Sequence, residues 1–262
     1  MTFDFFDVTV LRREPLSPSA VRIVFGGAGL SAFASGGRDQ RFKLFLPQPH
    51  QRAADVPRGE DWYPRWRAAD PATRAVMRTY TVREQRDGEF DVDFAVHDTA
   101  CAGPASTWAR HARPGDRAVV LGPTVADNGG VDFRPPAGTD WILLTGDETA
   151  VPALAGILAW VGGSLPVRAW VEVHDPADVR DLPRPDGAEV TWLVGGGLLD
   201  ALRGADLPAG TPYAWVAGES GVVRAVRRHL VGERGFDRRR VMFTGYWRRG
   251  ATEDDLVAES DA

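Results

Sequence analysis

The hydrophobic positions in the first half of the chain follow the two-residue period of β-strands. Apolar and polar residues alternate over residues 5–12 and 20–25, and short apolar segments recur at 41–46, 77–83, 90–97 and 117–121. Turn-forming residues separate these segments, among them Pro15, Pro18 and the pair Asp87-Gly88. Because alternating strands joined by tight turns favour antiparallel pairing, this half is predicted to form a six-stranded antiparallel β-barrel with one short helix at 106–112.

The pattern changes after a proline- and glycine-rich segment at residues 129–140. Apolar strands at 141–145, 167–173, 189–193, 213–217 and 240–246 then alternate with helical segments at 150–160, 198–202 and 221–231. Strands alternating with helices predict a parallel sheet covered by helices. The predicted fold is therefore β followed by α/β, with domains at 1–135 and 136–262. Residues 48–75, which carry four prolines, are expected to form a long surface loop with some helix.

A strand and a nearby helix start carry the first candidate site. Arg78, Tyr80 and Thr81 share one predicted strand, and the run HDTACAGPASTW follows it from residue 97. A guanidinium pairs with a pyrophosphate, a tyrosine ring lies against a flat ring system, and a hydroxyl bonds its polar edge. Backbone N–H groups at a helix N-terminus attract an anion, which adds the turn Gly103, Pro104, Ala105 and Ser106. His97 is either a further phosphate donor or a structural residue.

The second half carries candidate nucleotide contacts at the carboxyl ends of its predicted parallel strands, where open α/β sheets bind such ligands. The first strand is followed by Thr145, Gly146, Asp147, Glu148 and Thr149. The two acids would repel a pyrophosphate placed directly on them, so they either contribute to the site or cap the next helix. Glu219 has the same two interpretations after the fourth strand. Tyr246 and Trp247 follow the last strand, either as aromatic cover for a flavin or as packing residues.

Composition and charge exclude several classes of site and partner. The net charge is −5 over 262 residues, which makes a broad nucleic-acid surface unexpected. Lys43 is the only lysine, so anion sites must rely on arginine. Cys101 is the only cysteine, which excludes an intrachain disulfide and a cysteine-based metal site, and no protein metal site is predicted. The N-terminus has no secretory pattern and residues 151–161 are too short to span a bilayer, so a cytoplasmic protein without membrane insertion is expected.

Taken together, these motifs resemble the siderophore-interacting protein family, the flavin-dependent ferric-siderophore reductases of the ferredoxin–NADP reductase superfamily. The resemblance rests on RTYTVRE, VDFAVHDTACAGPASTWA, RPGD, LLTGDETAVPAL, WVAGES, VRRHL and GYWRRG, which occur here in the family's order. It implies an FAD-binding barrel and an NAD(P)H-binding domain. It also implies that FAD is held by Arg78, Tyr80, Thr81, His97 and the turn at residues 103–106.

The expected activity is electron transfer from NADH or NADPH through FAD to a ferric siderophore, with release of ferrous iron and no catalytic side chain. Since ferric siderophores are often anionic, Lys43, Arg248 and Arg249 are expected at the substrate mouth, with Trp62 and Trp66 as stacking partners. Glu172 favours NADH, whereas Arg168 and Arg180 favour the 2′-phosphate of NADPH. Two alternatives stay open: a reductase with another acceptor, and a binding protein without cofactor. The oligomeric state is not readable from the sequence.

Overall fold

A computed structural model describes residues 2–96 and 103–251. The chain folds into two compact units, residues 1–131 and 132–262. Within its described residues, the first unit has seven strands: β1 (Phe3–Ser17), β2 (Ala20–Gly26), β3 (Arg41–Leu46), β4 (Val76–Thr81), β5 (Glu84–Arg86), β6 (Glu89–Ala95) and β7 (Arg117–Pro123). It also has two α-helices, α1 (Trp62–Ala68) and α2 (Pro104–His111), and a short 3-10 helix, Ala28–Ala32.

The N-terminal strands form one antiparallel sheet in the order β4-β3-β7-β1-β2-β6-β5. Since β4 and β5 are its edges, the curled sheet is a half-barrel. It has seven strands rather than the six predicted, because Glu84–Arg86 pairs with β6. Three residues are too few for an alternating pattern to reveal a strand. The turn to β6 contains Gly88, whose φ of 68° suits a tight hairpin.

The two faces of this sheet are covered differently. The inner face holds the larger core, which includes Phe25, Phe42 and Phe94. The outer face is packed by a smaller cluster that includes Phe45 and Trp66. The predicted loop at residues 48–75 contains α1, as expected for a loop with some helix.

The second unit, as far as residue 251, has five strands: β8 (Trp141–Gly146), β9 (Val167–Val173), β10 (Ala188–Val194), β11 (Pro212–Glu219) and β12 (Val241–Trp247). Its α-helices are α3 (Val151–Val161), α4 (Leu198–Gly204) and α5 (Ser220–Arg228), with a π-helical turn at His229–Glu233 and 3-10 turns at Pro176–Asp178 and Arg238–Arg240. All its strand pairs are parallel, in the order β10-β9-β8-β11-β12. The predicted fold class, an antiparallel β unit followed by a parallel α/β unit, is confirmed.

The central strand explains how this unit is built. Every residue of β8 is buried, because a central parallel strand has helices over both faces. One face packs on α3 and the other on α4 and α5. Phe133, within the proline- and glycine-rich segment at residues 129–140, is fully buried in the core on the α3 side. In the part of the chain that the structure describes, no helix is long and apolar enough to cross a membrane.

Candidate functional site

The strand residues of the first candidate site lie on β4, an edge strand of the N-terminal sheet. Tyr80 pairs in register with Phe42 and is partly buried against the inner core. Its ring centroid lies 4.3 Å from that of Phe94, which in turn lies 6.1 Å from the ring of Trp108 on α2. Arg78 is two residues from Tyr80 and therefore shares its face of the strand. Thr81, at the end of the strand, is buried.

The start of α2 provides the second part of this arrangement. Gly103 occupies the N-cap position and Pro104 the first helical position, so the cap residue has no side chain to accept the first-turn amides. A Cβ added at Gly103 would meet nothing within 4 Å. Ala105 is buried against the inner core, whereas Gly103 and Pro104 are exposed. Since α2 packs against β4, the structure brings the strand motif and the helix start together. His97 lies outside the described residues.

Lys43 is placed on the other face of the sheet. It pairs in register with Thr79, and its Nζ donates to Thr79 Oγ1 at 2.8 Å. Arg78 pairs instead with Leu44, a residue of the inner core. Within this unit, Lys43 and Arg78 therefore belong to opposite faces of the sheet.

Trp66 does not have the role expected of it. Its side chain is only 1% exposed, and its Nε1 donates to the carbonyl oxygen of Ala75 at 2.9 Å. The expectation that it stacks on a substrate is therefore wrong: burial against Phe45 explains its position. Trp62 is partly buried in the same cluster and packs edge-on against Phe5 and Phe45.

In the C-terminal unit, a buried carboxylate ties together the carboxyl ends of three strands. Asp147 Oδ1 accepts hydrogen bonds from the backbone N–H and the hydroxyl of Thr149. Its Oδ2 accepts from Glu219 N at 2.8 Å and from Trp247 Nε1 at 2.7 Å. Asp147 therefore joins the loop after β8 to the ends of β11 and β12. It is not the cap of α3, whose N-cap residue is Ala150.

Glycines allow these close approaches. Gly218 has a φ of 136°, and a Cβ there would lie 2.6 Å from Asp147 Oδ2. At Gly146, a Cβ would lie 2.7 Å from the carbonyl oxygen of Ala217. Both positions therefore exclude a side chain for steric reasons. The hydroxyl of Thr145 is fully buried and has no hydrogen-bond partner among the described residues.

Glu219 caps α5, as one of its two interpretations predicted. Its Oε2 accepts from Gly221 N at 2.6 Å and from Val222 N at 3.0 Å, and its Oε1 from Arg249 N at 3.3 Å. Burial raises the pKa of Glu219, but the hydrogen bonds from Val222, Arg249 and Gly221 and the charge of Arg249 outweigh it. The pKa of this carboxyl is therefore lowered overall.

The aromatic pair at the end of β12 divides between the two faces of the sheet. Tyr246 packs with the core on the α3 side, its ring 6.4 Å from that of Trp215. Trp247 lies on the other side, where it lines a cleft together with Arg249. Successive strand residues point to opposite faces, so this separation follows from their adjacency. Arg248 does not line the cleft.

The cleft lies at the carboxyl edge of the parallel sheet, on the side of α4 and α5. It has a volume of about 50 Å³ and adjoins an open groove of about 500 Å³ between these helices. Glu148 lines it with a side chain only 9% exposed, 3.8 Å from His174 Nδ1. Glu172 also lines it, and its Oε2 accepts from Leu198 N at 3.1 Å. The predicted residues Asp147, Glu148, Glu219 and Trp247 thus share one cleft.

Two features, His174 in the cleft and Gly197 in the adjoining groove, were not predicted as parts of a site. His174 follows β9 with no recognisable motif. Gly195, Gly196 and Gly197 follow β10, all with positive φ, and three consecutive glycines after a predicted strand are a signal that marks this turn. The bond between Asp147 and Trp247 joins residues 100 positions apart, and no local pattern reports it.

An antiparallel half-barrel followed by a parallel sheet covered by helices is the ferredoxin reductase-like fold. The fold is similar, for example, to the cytochrome b5 reductase domain of Ulva prolifera nitrate reductase, at a TM-score of 0.66 and 14% identity over 92% of this chain and 97% of that one.

The chain belongs to the siderophore-interacting protein family. The siderophore-interacting FAD-binding domain matches residues 9–127 and the siderophore-interacting protein domain matches residues 139–250. A siderophore utilization protein from T. fusca has a similar structure, at a TM-score of 0.83 and 34% identity, covering 96% of this chain and 95% of that one.

Two relatives have names that state an activity. The NADPH-dependent ferric-chelate reductase of Escherichia coli is 33% identical over 93% of this chain and 92% of its own length. The ferric vibriobactin reductase ViuB of Vibrio cholerae is 30% identical over 93% of this chain and 89% of its own length.

Proposed function

We propose that this protein is a flavin-dependent reductase that passes electrons from NADH or NADPH through FAD to a ferric siderophore in the cytoplasm. The match of residues 9–127 to a siderophore-interacting FAD-binding domain carries this proposal. The two relatives that are named as ferric reductases support it over most of the chain.

The residues of the N-terminal unit fit FAD. Gly103 leaves open space at the N-terminus of α2, and the positive end of the helix dipole there favours a pyrophosphate. Arg78, on the adjacent strand, would supply the countercharge. Tyr80 would offer its ring to the flat isoalloxazine system, and Thr81 a hydroxyl to its polar edge. His97 is proposed as a further phosphate donor.

The residues of the C-terminal unit fit a nicotinamide dinucleotide. The cleft lies beside β8 and β11, where the strand order reverses, which is the usual position for such a ligand. Thr145, with its buried and unbonded hydroxyl, is proposed as a contact along with Gly146 and Thr149. Asp147 accepts a hydrogen bond from Trp247 Nε1 and so holds the loop after β8, which lines the cleft, against the end of β12. Glu219 positions Arg249 through its backbone N–H.

FAD held by these residues of the N-terminal unit would supply two-electron chemistry toward a nicotinamide donor and one-electron chemistry toward a ferric acceptor. The protein then needs no general base, and its side chains bind and orient. Reduction releases the metal because hard oxygen ligands hold ferrous iron less well than ferric iron. Arg248 and Arg249 are proposed to attract an anionic ferric chelate by charge, whereas Lys43 lies on the sheet face opposite Arg78 and does not share a face with the proposed flavin site.

The test is anaerobic mixing of the purified protein with NADH or NADPH, followed by a ferric siderophore. Flavin absorbance should be lost on addition of the nucleotide and return with the ferric siderophore. A purified protein that contains no flavin, and binds none when FAD is added, would refute the proposal.

A variant pair tests the flavin site without relying on turnover. Arg78→Ala should reduce the amount of FAD that copurifies, measured as the ratio of flavin to protein absorbance. Arg65→Ala is the matched control, because Arg65 lies in the same unit and pairs with the exposed Asp61. An equal flavin content in both variants would remove Arg78 from the site.

A further inference from the structure

We propose that the C-terminal cleft selects a dinucleotide with an unphosphorylated adenosine ribose, NADH rather than NADPH, and that Glu172 is the selecting residue. This inference rests on the proposed function, since it assumes that the cleft binds a nicotinamide nucleotide. It decides between the two electron donors that the motifs left open.

The position of Glu172 follows from the sheet order. The sheet order is β10-β9-β8-β11-β12, and β8 is the first strand of the unit along the chain. The second and third strands lie on one side of β8 and the fourth and fifth on the other, so the direction in which strands are added reverses between β8 and β11. In sheets of this topology, an acidic residue at the carboxyl end of the second strand bonds the ribose hydroxyls of NAD. Glu172 is the next-to-last residue of β9, the second strand, and lines the cleft.

The structure holds this carboxylate in place. Glu172 Oε2 accepts from the backbone N–H of Leu198, the first residue of α4, at 3.1 Å. That N–H is therefore already bonded to a carboxylate and is not offered to a phosphate. No described residue donates to the second oxygen, Oε1, which leaves it to accept a ribose hydroxyl.

Among the described residues, the turns directly after β9 and β10 carry no arginine or lysine to pair with a 2′-phosphate. Residues 195–197 follow the neighbouring strand β10 and are all glycine, so this turn offers no charged side chain. His174, the nearest basic residue along the chain, lies 3.8 Å from the Glu148 carboxylate. A phosphate placed here would meet two carboxylates and a glycine turn.

The arginines considered for a 2′-phosphate lie elsewhere. Arg168 is four residues before Glu172 on the same strand, about 13 Å away at the usual rise per residue. Its Nη2 lies 3.0 Å from Glu189 Oε1 on β10. Arg180 lines neither the cleft nor the adjoining groove. Arg249 does line both, but it follows β12, on the far side of the strand reversal from β9.

The experiment measures binding directly. ADP-ribose and its 2′-phosphorylated form are titrated into the flavin-loaded protein by calorimetry. ADP-ribose should bind about tenfold more tightly, since one fixed carboxylate repels a nearly divalent phosphate across a solvated cleft. The ratio should shrink as salt is added, because salt screens that repulsion.

Two variants locate the effect. Glu172→Gln keeps an oxygen for the Leu198 N–H but removes the charge, so the tenfold preference should largely disappear. Glu189→Gln is the matched control, because it removes one negative charge from the opposite end of the same strand pair and should leave the ratio unchanged.

The outcomes separate this inference from the proposed function. Equal or tighter binding of the 2′-phosphorylated ligand, with flavin still reduced by both nucleotides, would overturn only the inference. A preference that survives Glu172→Gln and is insensitive to salt would remove Glu172 as its cause. Failure of both nucleotides to bind or to reduce the flavin would overturn the proposed function, and the inference with it.

Discussion

Replacement of Asp147 by asparagine tests whether one carboxylate organises the cleft. Asp147 is 9% exposed and accepts hydrogen bonds from Thr149, Glu219 and Trp247. Asparagine has the same shape but only one accepting oxygen. Its NH₂ group must therefore face either Thr149 or the N–H groups of Glu219 and Trp247, and two donors on that side lose their acceptor.

The magnitude follows from these bonds. A hydrogen bond to a charged group contributes about 1.5–3 kcal/mol, and a buried donor left unsatisfied costs about 1–3 kcal/mol. We expect Asp147→Asn to lower the free energy of unfolding by about 2–4 kcal/mol. Trp247→Phe removes a single bond, that from Nε1 at 2.7 Å, and should cost about 1–2 kcal/mol.

The assay is urea unfolding of the flavin-loaded protein followed by circular dichroism, together with calorimetric titration of ADP-ribose. Asp147→Asn should reduce both stability and nucleotide affinity, because the ends of β8, β11 and β12 are no longer tied together. Asp140→Asn is the matched control. Asp140 lies just before β8, at the opposite end of that strand from Asp147, and accepts a hydrogen bond from Thr211 N at 2.6 Å. It is exposed and lines neither the cleft nor the groove. Nucleotide affinity should therefore not change in Asp140→Asn.

A double variant gives the sharpest refutation. Because Asp147 and Trp247 share a bond, the effects of the two substitutions should be non-additive by at least about 0.5 kcal/mol. Strict additivity, or a loss below about 0.5 kcal/mol in Asp147→Asn, would show that this carboxylate does not hold the strand ends.

Three further predictions concern stability. Gly218→Ala should lower the free energy of unfolding, measured in urea, by more than about 2 kcal/mol, because Gly218 has a φ of 136° and a Cβ there would lie 2.6 Å from Asp147. Gly204→Ala is the control and should be near neutral, because there is open space around Gly204. Arg86→Ala should cost about 1–3 kcal/mol, because the Arg86 guanidinium pairs with the buried carboxylate of Asp91; an unchanged urea midpoint would contradict this. The pKa of Glu219 is lower in the folded protein than its ordinary value of 4.5. The cap of α5 therefore contributes its full stabilisation above pH 4.5, and this stabilisation is lost as the pH falls through the folded-state pKa of Glu219. Glu219→Gln should therefore be less stable than the wild type at pH 7, with a gap in urea midpoint that narrows as the pH falls below 4.5; a constant gap would refute the assignment.

Much of the site is predictable from local sequence. The strand with Arg78 and Tyr80 and the loop after β8 lie where the pattern predicted them, and the helix predicted at 106–112 begins two residues earlier, at Pro104. These features depend on residues close in sequence, so composition and periodicity report them. The short strand Glu84–Arg86 was missed because its residues carry no alternating pattern.

Local patterns were sufficient for the order of strands and helices, for the change from antiparallel to parallel pairing, and for the motifs that mark the family. Which side chains meet depends on the folded sheets: Trp66 is buried rather than offered to a ligand, Lys43 lies on the opposite face from Arg78, and Asp147 reaches Trp247. The physical reason is that local propensity acts over a few residues, whereas these contacts join residues brought together only when the sheets form. Glu172 illustrates both: its place in the chain suggested a nucleotide contact, but its bond to Leu198 and the ion pair of Arg168 with Glu189 emerge only from the fold.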